Sequence, residues 1–465
     1  MVTRWGKIRL PQSQAEFISL WTHGSITEES NSKNPSVTSD IPKELDDNLS
    51  FEERIKKGDY YLSKGFNTFA ANEYVKAIKL APKLPLGYFK LAQADFASSD
   101  FKKANGNCDE AIKLKPDYPD AYLLKARIAM REGHFDEAQK LFNSPVLSSQ
   151  DQASIFYLKA LLFLSTDQYD EAKKILLTLK NDPSFNQKEK VENLLSAYTE
   201  FQFAEASQTI FLDELIARSF NQIGEYELAI SKIKNILRNR SDLRDSWILL
   251  GYAYLNLNNY PFALAAFDRA YQLDSTWPTT PYYIGLTYFE MGNFKEALAY
   301  FEMAKSNHFE PSNTVLNSLA EVYIELQDYS NAAEIYGQLI EKNPQDINSY
   351  VKPVWINIDF LKQPQKALEY AETAVQLFPN EALAYNLRGW SYLNLSKLDE
   401  AEADLKRSLS LNPGLPAVYL NLGLLYENRE DPIQAKKAFK KAYELDPGGS
   451  IGAKAAEHYN QLTSS

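Results

Sequence analysis

The feature that most constrains how this chain folds is a pattern of small and large apolar residues that returns about every 34 residues. The copy at 244–275 shows it clearly. Its first half places apolar residues at helical spacing beside a glycine, at Trp247, Leu250, Gly251 and Tyr254. After a turn signal, its second half carries another helical stripe, at Ala263, Phe267 and Ala270. The copy predicts two short helices, which need each other and a neighbour on either side to bury these stripes.

The same order of small and large residues recurs along most of the chain. Other copies carry, for example, Gly58 and Tyr74, Ala126 and Phe142, Ala217 and Ile233, Gly285 and Phe301, Gly389 and Leu405, and Gly423 and Phe439. This pattern resembles the tetratricopeptide repeat family, with about eleven copies over roughly four fifths of the chain. The resemblance implies an all-α fold, a right-handed α-solenoid of about eleven stacked helix-turn-helix repeats with a C-terminal capping helix. It says almost nothing about a reaction or a ligand.

Length, charge and cysteine content exclude several classes of protein. A chain of 465 residues is too long for one ordinary core, whereas a repeat array grows by packing each unit on its neighbours. The formal net charge of −11 disfavours nucleic acid and anionic lipid as partners. Cys108 is the single cysteine, so no intrachain disulfide can form. It stands where other copies place Phe or Tyr, which predicts a core side chain rather than a reactive thiol.

Departures from the period divide the chain into five predicted regions. These are an N-terminal tail and flexible linker at 1–50, a block of about four repeats at 51–185, an extra helix and joint at 186–209, a block of about seven repeats at 210–447, and the capping helix at 448–465. Within the repeat at 347–379, Pro353 takes the place of an apolar helical residue. Proline lacks a backbone N–H, so we expect a kinked or late-starting helix there.

Residues 1–23 mix basic and aromatic side chains, and two interpretations stay open. One is a tail that packs partly on the first repeats. The other is a juxtamembrane remnant, because the run from Arg4 to Arg9 resembles the edge of a membrane anchor. The first interpretation leaves a soluble, cytoplasmic protein as the default. The second places the array outside the cytoplasm on a membrane tether, although no apolar run in this sequence is long enough to span a bilayer and none forms the core of a signal peptide.

Residues that could perform catalysis or bind metal are not grouped in the sequence. The run 448–452 matches the G-x-S-x-G pattern around Ser450, but that chemistry needs a preceding strand, and here a helix is predicted. The four histidines are far apart, and neither H-x-x-x-H nor C-x-x-C occurs. We therefore expect no enzymatic activity, no metal site and no cofactor.

The remaining candidate is the surface that the first helices of the repeats present. In the family that the pattern resembles, these helices line a concave groove, and the second stripe of each should face it. This stripe is rich in aromatic and aliphatic residues, which is typical of a binding surface. The predicted partner-binding residues are Phe89, Arg127, Tyr157, Arg218, Tyr252, Tyr282, Trp355 and Trp390.

The sequence thus predicts a non-enzymatic scaffold that holds a protein or peptide segment in an aromatic-lined groove. Two alternatives stay open: a helical-repeat RNA-binding protein, and a docking or assembly subunit of a membrane-tethered cell-envelope complex. It also stays open whether the tail, the extra helix or the packing of the array covers the stripe.

Overall fold

The computed structural model describes residues 49–148, 153–202, 209–447 and 449–464. Most of the predicted tail lies outside these ranges, as does Gly448. Within them every regular element is helical and none is a strand. The described chain divides between Ser275 and Thr276 into two compact units. We call them the N-terminal unit (residues 49–275) and the C-terminal unit (residues 276–464).

The N-terminal unit consists of helical hairpins that follow one another along the chain. Its helices are α1 Phe51–Ser63, α2 Asn67–Leu80, α3 Pro85–Ala97, α4 Phe101–Leu114, α5 Pro119–Arg131, α6 Phe135–Phe142, α7 Pro145–Ser148, α8 Ala153–Ser165, α9 Tyr169–Asn181, α10 Lys188–Gln202, α11 Thr209–Gln222, α12 Tyr226–Asn239, α13 Arg244–Asn256 and α14 Tyr260–Leu273. Four hairpins (α1–α2, α3–α4, α5–α6 and α8–α9) precede α10, and two more (α11–α12 and α13–α14) follow it. The predicted joint at 186–209 thus lies inside this unit, and its role as a joint stays a prediction.

The C-terminal unit continues the same architecture. Its helices are α15 Thr279–Glu290, α16 Phe294–Ser306, α17 Ser312–Glu325, α18 Tyr329–Lys342, α19 Val351–Trp355, α20 Pro364–Leu377, α21 Ala382–Asn394, α22 Leu398–Leu411, α23 Pro416–Asn428, α24 Pro432–Leu445 and α25 Ser450–Ser464. Each helix from α15 to α24 pairs with its neighbour to form a hairpin.

The helix around Pro353 departs from the regular pattern. A 3₁₀ turn at Ile347–Tyr350 precedes α19, and a π-helical turn at Ile356–Phe360 follows it. Pro353 therefore lies in the first turn of α19, where its missing N–H breaks little of the helix. This confirms the predicted late start.

One residue with a left-handed backbone marks the turn of each hairpin. These residues are Gly65, Ser99, Gly133, Asp167, Gly224, Asn258, Gly292, Gln327, Lys362, Ser396 and Glu430. They follow one another at intervals of 34 or 35 residues, except between Asp167 and Gly224, where α10 is inserted. The eleven hairpins of the described residues confirm the predicted all-α solenoid and its number of repeats.

Each hairpin closes on a contact between a small residue of its first helix and a large side chain of its second. A Cβ atom added to Gly251 would lie 2.4 Å from Cε1 of Phe267, so only glycine fits this contact. Cys108 takes the place of the large side chain in the second hairpin and is fully buried. Burial raises the pKa of its thiol to about 12, as expected of a core residue.

Helix α25 covers the last hairpin of the C-terminal unit, as predicted. Its residues Ile451, Tyr459 and Leu462 pack against the buried cluster that contains Phe439. The imidazole of His458 stacks on the Phe439 ring, with centroids 5.1 Å apart. Through these contacts α25 buries the apolar surface that would otherwise be exposed at the end of the array.

Candidate partner-binding surface

The structure separates the eight predicted binding residues into a buried and a partly exposed group. We call the side of the first helices that carries the predicted stripe the inner face. Phe89, Tyr157 and Tyr282 are buried, with 8%, 5% and 1% of their surface exposed. The expected exposure of the stripe is therefore not found at these three positions. The partly exposed residues are Arg127, Arg218, Tyr252, Trp355 and Trp390.

The three buried rings share one cause of burial, a second ring from the loop after their own hairpin. The centroid distances are 5.2 Å from Phe89 to Tyr118, 5.6 Å from Tyr157 to Phe185, and 4.3 Å from Tyr282 to Phe309. Such pairs of rings stabilise each other beyond the area that they bury. The sequence carries a signal for this contact, an aromatic residue two positions from a loop proline, as in Tyr118 and Pro116, Phe185 and Pro183, and Phe309 and Pro311.

In the N-terminal unit the inner face is covered where α12 packs against α5 and α8. Arg131 of α5 forms an ion pair with Glu225 at 2.9 Å and a second with Glu227. Leu228 and Arg127 line a small cavity between the three helices. The guanidinium carbon of Arg127 lies 4.9 Å from the centre of the Phe96 ring, and burial lowers the pKa of this side chain. The predicted open groove is thus filled at this point by the chain itself.

The side chain of Lys232 stabilises the packing of α12 against the earlier helices. This side chain is almost completely buried, with 3% exposed. The Nζ atom donates a hydrogen bond to the carbonyl oxygen of Leu164 at 3.1 Å and to the hydroxyl of Tyr169 at 2.8 Å. It also forms ion pairs with Asp167 and, at 2.8 Å, with Asp213. A buried ammonium with this many partners is a structural anchor rather than a free site.

The inserted helix α10 explains why α12 lies on the inner face. In an array of hairpins the first helices share one side and the second helices the other. Helix α10 packs against both α9 and α11, so it takes one place in this alternation. Helix α12, the second of its own hairpin, is thereby brought to the side of the first helices α5 and α8.

Two further predicted residues of the N-terminal unit contact side chains of this rearranged region. Arg218 forms an ion pair with Glu200 of α10. The ring of Tyr252 lies 6.4 Å from that of Tyr226, the first residue of α12. The extra helix therefore covers part of the stripe, which is one of the alternatives that the sequence left open.

In the C-terminal unit Trp355 and Trp390 remain partly exposed on two first helices that contact each other, α19 and α21. The Trp355 ring meets the Phe360 ring edge-on at 4.9 Å, and Phe360 stacks on Tyr329 at 3.9 Å. Trp390 packs against the buried cluster around Tyr350 and Leu387. Each indole thus has one side held by the protein and part of its surface open.

Several charged residues of the first helices were not among the predicted binding residues. Glu321 of α17 forms an ion pair with Lys352 and accepts a hydrogen bond from the Tyr336 hydroxyl at 2.5 Å. Glu290, Glu325 and Asp359 each stand four residues after a stripe position, in the last turn of a first helix. A spacing of four residues from the stripe could have predicted them from the sequence, because residues four apart lie on the same face of a helix.

The structure bears on two kinds of chemical site that the sequence analysis considered, a metal site and the G-x-S-x-G serine. No group of three or more His, Cys, Asp or Glu side chains within them could hold a metal ion. Ser450 is the first residue of α25 and follows helix α24, so it lacks the strand that the G-x-S-x-G geometry requires. Nor does any helix in the described ranges combine the length and the apolar composition of a membrane span.

Comparison with known families agrees with the repeat geometry. Models described as "Tetratricopeptide repeat" match residues 95–162, 215–277, 282–347, 382–415 and 416–448, which is more than half of the chain. The chain belongs to the tetratricopeptide repeat family. Human Superkiller complex protein 3 is 25% identical over 256 residues, which cover 53% of this chain and 16% of the relative. The BBSome complex member BBS4 of Bos taurus is 23% identical over 270 residues, half of each chain.

Solved tetratricopeptide repeat structures resemble the chain at low identity. The Cut9-Hcn1 hetero-tetramer of the APC/C matches with 16% identity and a TM-score of 0.36, over 89% of this chain and 96% of the other. Yeast Tom70 matches with 18% identity and a TM-score of 0.35 over the same shares. The chain spans less than a fifth of the length of the Superkiller relatives that it matches.

Proposed function

We propose that this tetratricopeptide repeat protein is a non-enzymatic scaffold that binds a segment of another protein on the inner face of its C-terminal unit. Trp355 and Trp390 are the anchors of that contact. The partial exposure of these two indoles, at equivalent positions of contacting first helices, is the observation that carries the proposal.

Physical chemistry favours indoles as anchors. A tryptophan buries a large apolar area on binding, and Trp is among the residues that dominate the affinity of protein interfaces. Both indoles already pack against the protein on one side, Trp355 against Phe360 and Trp390 against the cluster around Leu387. Little side-chain freedom is therefore lost when a partner covers them, which favours binding.

The names of several relatives support a role in assembly. Superkiller complex protein 3, BBSome complex member BBS4 and Anaphase-promoting complex subunit 3 are all named as members of complexes. For this chain the corresponding proposal is a subunit or adaptor that holds other proteins. The choice of the C-terminal unit rests on the two indoles, because α12 covers part of the inner face of the N-terminal unit.

The test compares proteins captured from an extract of the source cells by three forms of the full chain. These are the unchanged chain, the W355A/W390A variant, and a control, L377A/Y443A, which removes two exposed apolar side chains from second helices. We expect W355A/W390A to lose the captured partners and the control to keep them, with all three forms showing helical thermal transitions of similar midpoint. Capture of the same proteins by W355A/W390A would contradict the proposal.

The RNA-binding alternative predicts a shifted complex with single-stranded RNA at moderate salt. We expect no complex, because the chain carries a formal net charge of −11 and repels phosphate.

A further inference from the structure

We propose that the segment bound by the C-terminal unit is basic, with Lys or Arg side chains beside a large apolar residue. This inference rests on the proposed function and names the chemistry of its partner. The apolar residue would contact Trp355 and Trp390, and the cations would meet a row of carboxylates along one edge of the inner face.

The row consists of Glu290, Glu325 and Asp359, which occupy equivalent positions in three consecutive hairpins. Glu290 and Glu325 are the last residues of α15 and α17, and both are exposed. Asp359 lies in the π-helical turn after α19, four residues beyond Trp355. The row therefore runs from the first hairpin of the unit to the hairpin that carries the first indole.

The position of these carboxylates at helix ends strengthens the local negative potential. The carbonyl groups at the C-terminus of a helix act as roughly half a negative charge. An acidic side chain there adds to that charge, although a lysine or arginine would stabilise the helix better. Glu290 and Glu325 thus make the helix ends attractive to a cation from another molecule.

The chain itself supplies an example of the expected contact. Lys454 of α25 reaches Asp359, with Nζ 3.6 Å from Oδ2. Lys454 comes from a helix far along the chain, so this edge already accepts an ammonium group from outside its own hairpin. Glu290 is exposed and forms no ion pair with any described residue, but desolvation of its carboxyl raises its pKa, and a cation from a partner would offset that shift. A partner with spaced cations matches that arrangement by charge.

Indoles beside carboxylates favour the same kind of ligand. The electron-rich face of an indole attracts a lysine or arginine cation. An aliphatic stem of the same side chain covers apolar surface while its charged end stays near the carboxylates. An acidic segment would instead meet repulsion at each of the three positions.

The experiment is a selection of random 12-residue peptides displayed on phage against the full-length chain. We expect enriched peptides with a net positive charge and at least one Trp, Phe or Leu. Synthetic copies are then titrated against the chain and four variants of it. The E290Q/E325Q/D359N variant should bind about tenfold more weakly, whereas E296Q/E334Q/E369Q, with three exposed carboxylates on second helices, should bind like the unchanged chain. The other two variants are W355A/W390A and L377A/Y443A.

The outcomes separate this inference from the function on which it rests. Peptides that need Trp355 and Trp390 but bind E290Q/E325Q/D359N undiminished, or enriched peptides that are acidic, would overturn the basic partner and leave the binding surface in place. Peptides that bind W355A/W390A as tightly as the unchanged chain would overturn both. Loss of affinity in both W355A/W390A and E290Q/E325Q/D359N, but not in E296Q/E334Q/E369Q or L377A/Y443A, supports the proposal, and the loss in E290Q/E325Q/D359N should increase as the salt concentration falls.

Discussion

At the scale of single residues, each hairpin depends on how a small residue of the first helix and a large residue of the second share space. Gly58, Gly251 and Gly423 stand opposite Tyr74, Phe267 and Phe439, where an added Cβ would lie 2.3–2.4 Å from a ring atom. Gly389 stands opposite the smaller Leu405, and its Cβ would lie 2.9 Å away. The hairpin α19–α20 is the exception, because Val354 takes the place of the small residue. Tyr370 takes the place of the large residue, and its ring is only partly buried.

The contact of Gly251 with Phe267 gives the first prediction. The G251A variant should lose about 1–3 kcal/mol of unfolding free energy, because the ring must move to admit the methyl group. Urea unfolding followed by circular dichroism measures this change. The control is G106A in α4, where an added Cβ meets no other atom within 4 Å, and it should gain up to about 1 kcal/mol. Equal effects of the two substitutions would refute the packing argument.

A buried carboxylate gives the second prediction, which concerns pH. Asp95 is 9% exposed and accepts a hydrogen bond from Asn107 at 2.8 Å. Burial raises the pKa of Asp95, so its folded-state pKa exceeds that of the unfolded chain. Stability from this group is therefore present at low pH and is lost as pH rises through the folded pKa.

The D95N variant should remove that penalty while Asn107 keeps an acceptor. We expect its thermal midpoint to exceed that of the unchanged chain by a few degrees at pH 7. The difference should shrink below about pH 4, where the aspartate of both states is protonated. A variant of the exposed Asp117, D117N, is the control and should show no such dependence on pH. A difference between D95N and the unchanged chain that is constant from pH 4 to pH 7 would refute the assignment.

At the scale of helices and hairpins, the contact of α12 with α5 and α8 depends on the buried ammonium group of Lys232. The buried ammonium of Lys232 pairs with Asp213, whose side chain is 19% exposed, and with the more exposed Asp167, and it donates a hydrogen bond to the Leu164 carbonyl oxygen. The K232M variant removes the cation from Asp213 and the donor from Leu164, so it should lose about 3 kcal/mol of unfolding free energy. The exposed Lys234 on the same helix is the control, and K234M should change the unfolding free energy by less than about 0.5 kcal/mol. A small effect of K232M in urea unfolding would mean that water reaches this site.

The sequence predicted the hairpins because their signal is local and repeated. Helical spacing, the small and large residues and the late start at Pro353 each depend on residues within one repeat. The cover over Phe89, Tyr157 and Tyr282 was not predicted, because it comes from rings in the loops, which have no periodic pattern. The position of α12 was not predicted either, because it depends on how α10 changes the order of packing rather than on any residue of α12.

The candidate site was predictable in part for the same reason. Trp355 and Trp390 were predicted because aromatic residues at a fixed position of the repeat stand out in the sequence, and the structure leaves both partly exposed. Glu290, Glu325 and Asp359 were missed, because an acidic residue in the last turn of a helix has the same appearance as an ordinary solvated side chain. The structure adds that Glu290 and Glu325 end their helices and that Asp359 lies in a π-helical turn.

At the scale of the whole molecule, each hairpin contacts mainly the hairpins next to it within its own unit. A destabilising change should therefore act locally and should not loosen the entire array equally. In the G423A variant the added Cβ would lie 2.3 Å from Cε1 of Phe439. We expect faster amide hydrogen exchange in α21–α25 and unchanged exchange in α1–α6, measured by mass spectrometry. Uniform acceleration across both regions would show that the array unfolds as a single cooperative unit.

Helix α10 belongs to no hairpin, and this has a consequence for what happens when repeat arrays gain helices. Duplication of a complete hairpin adds an even number of helices, so every later hairpin keeps its orientation and the molecule only grows longer. Gain of a single helix exchanges front and back for the hairpin that packs on it, and the second helix of that hairpin then meets earlier helices of the same unit, as α12 meets α5 and α8. A family built from interchangeable pairs thus acquires a fold-back, with contacts between distant stretches of chain, from one unpaired segment.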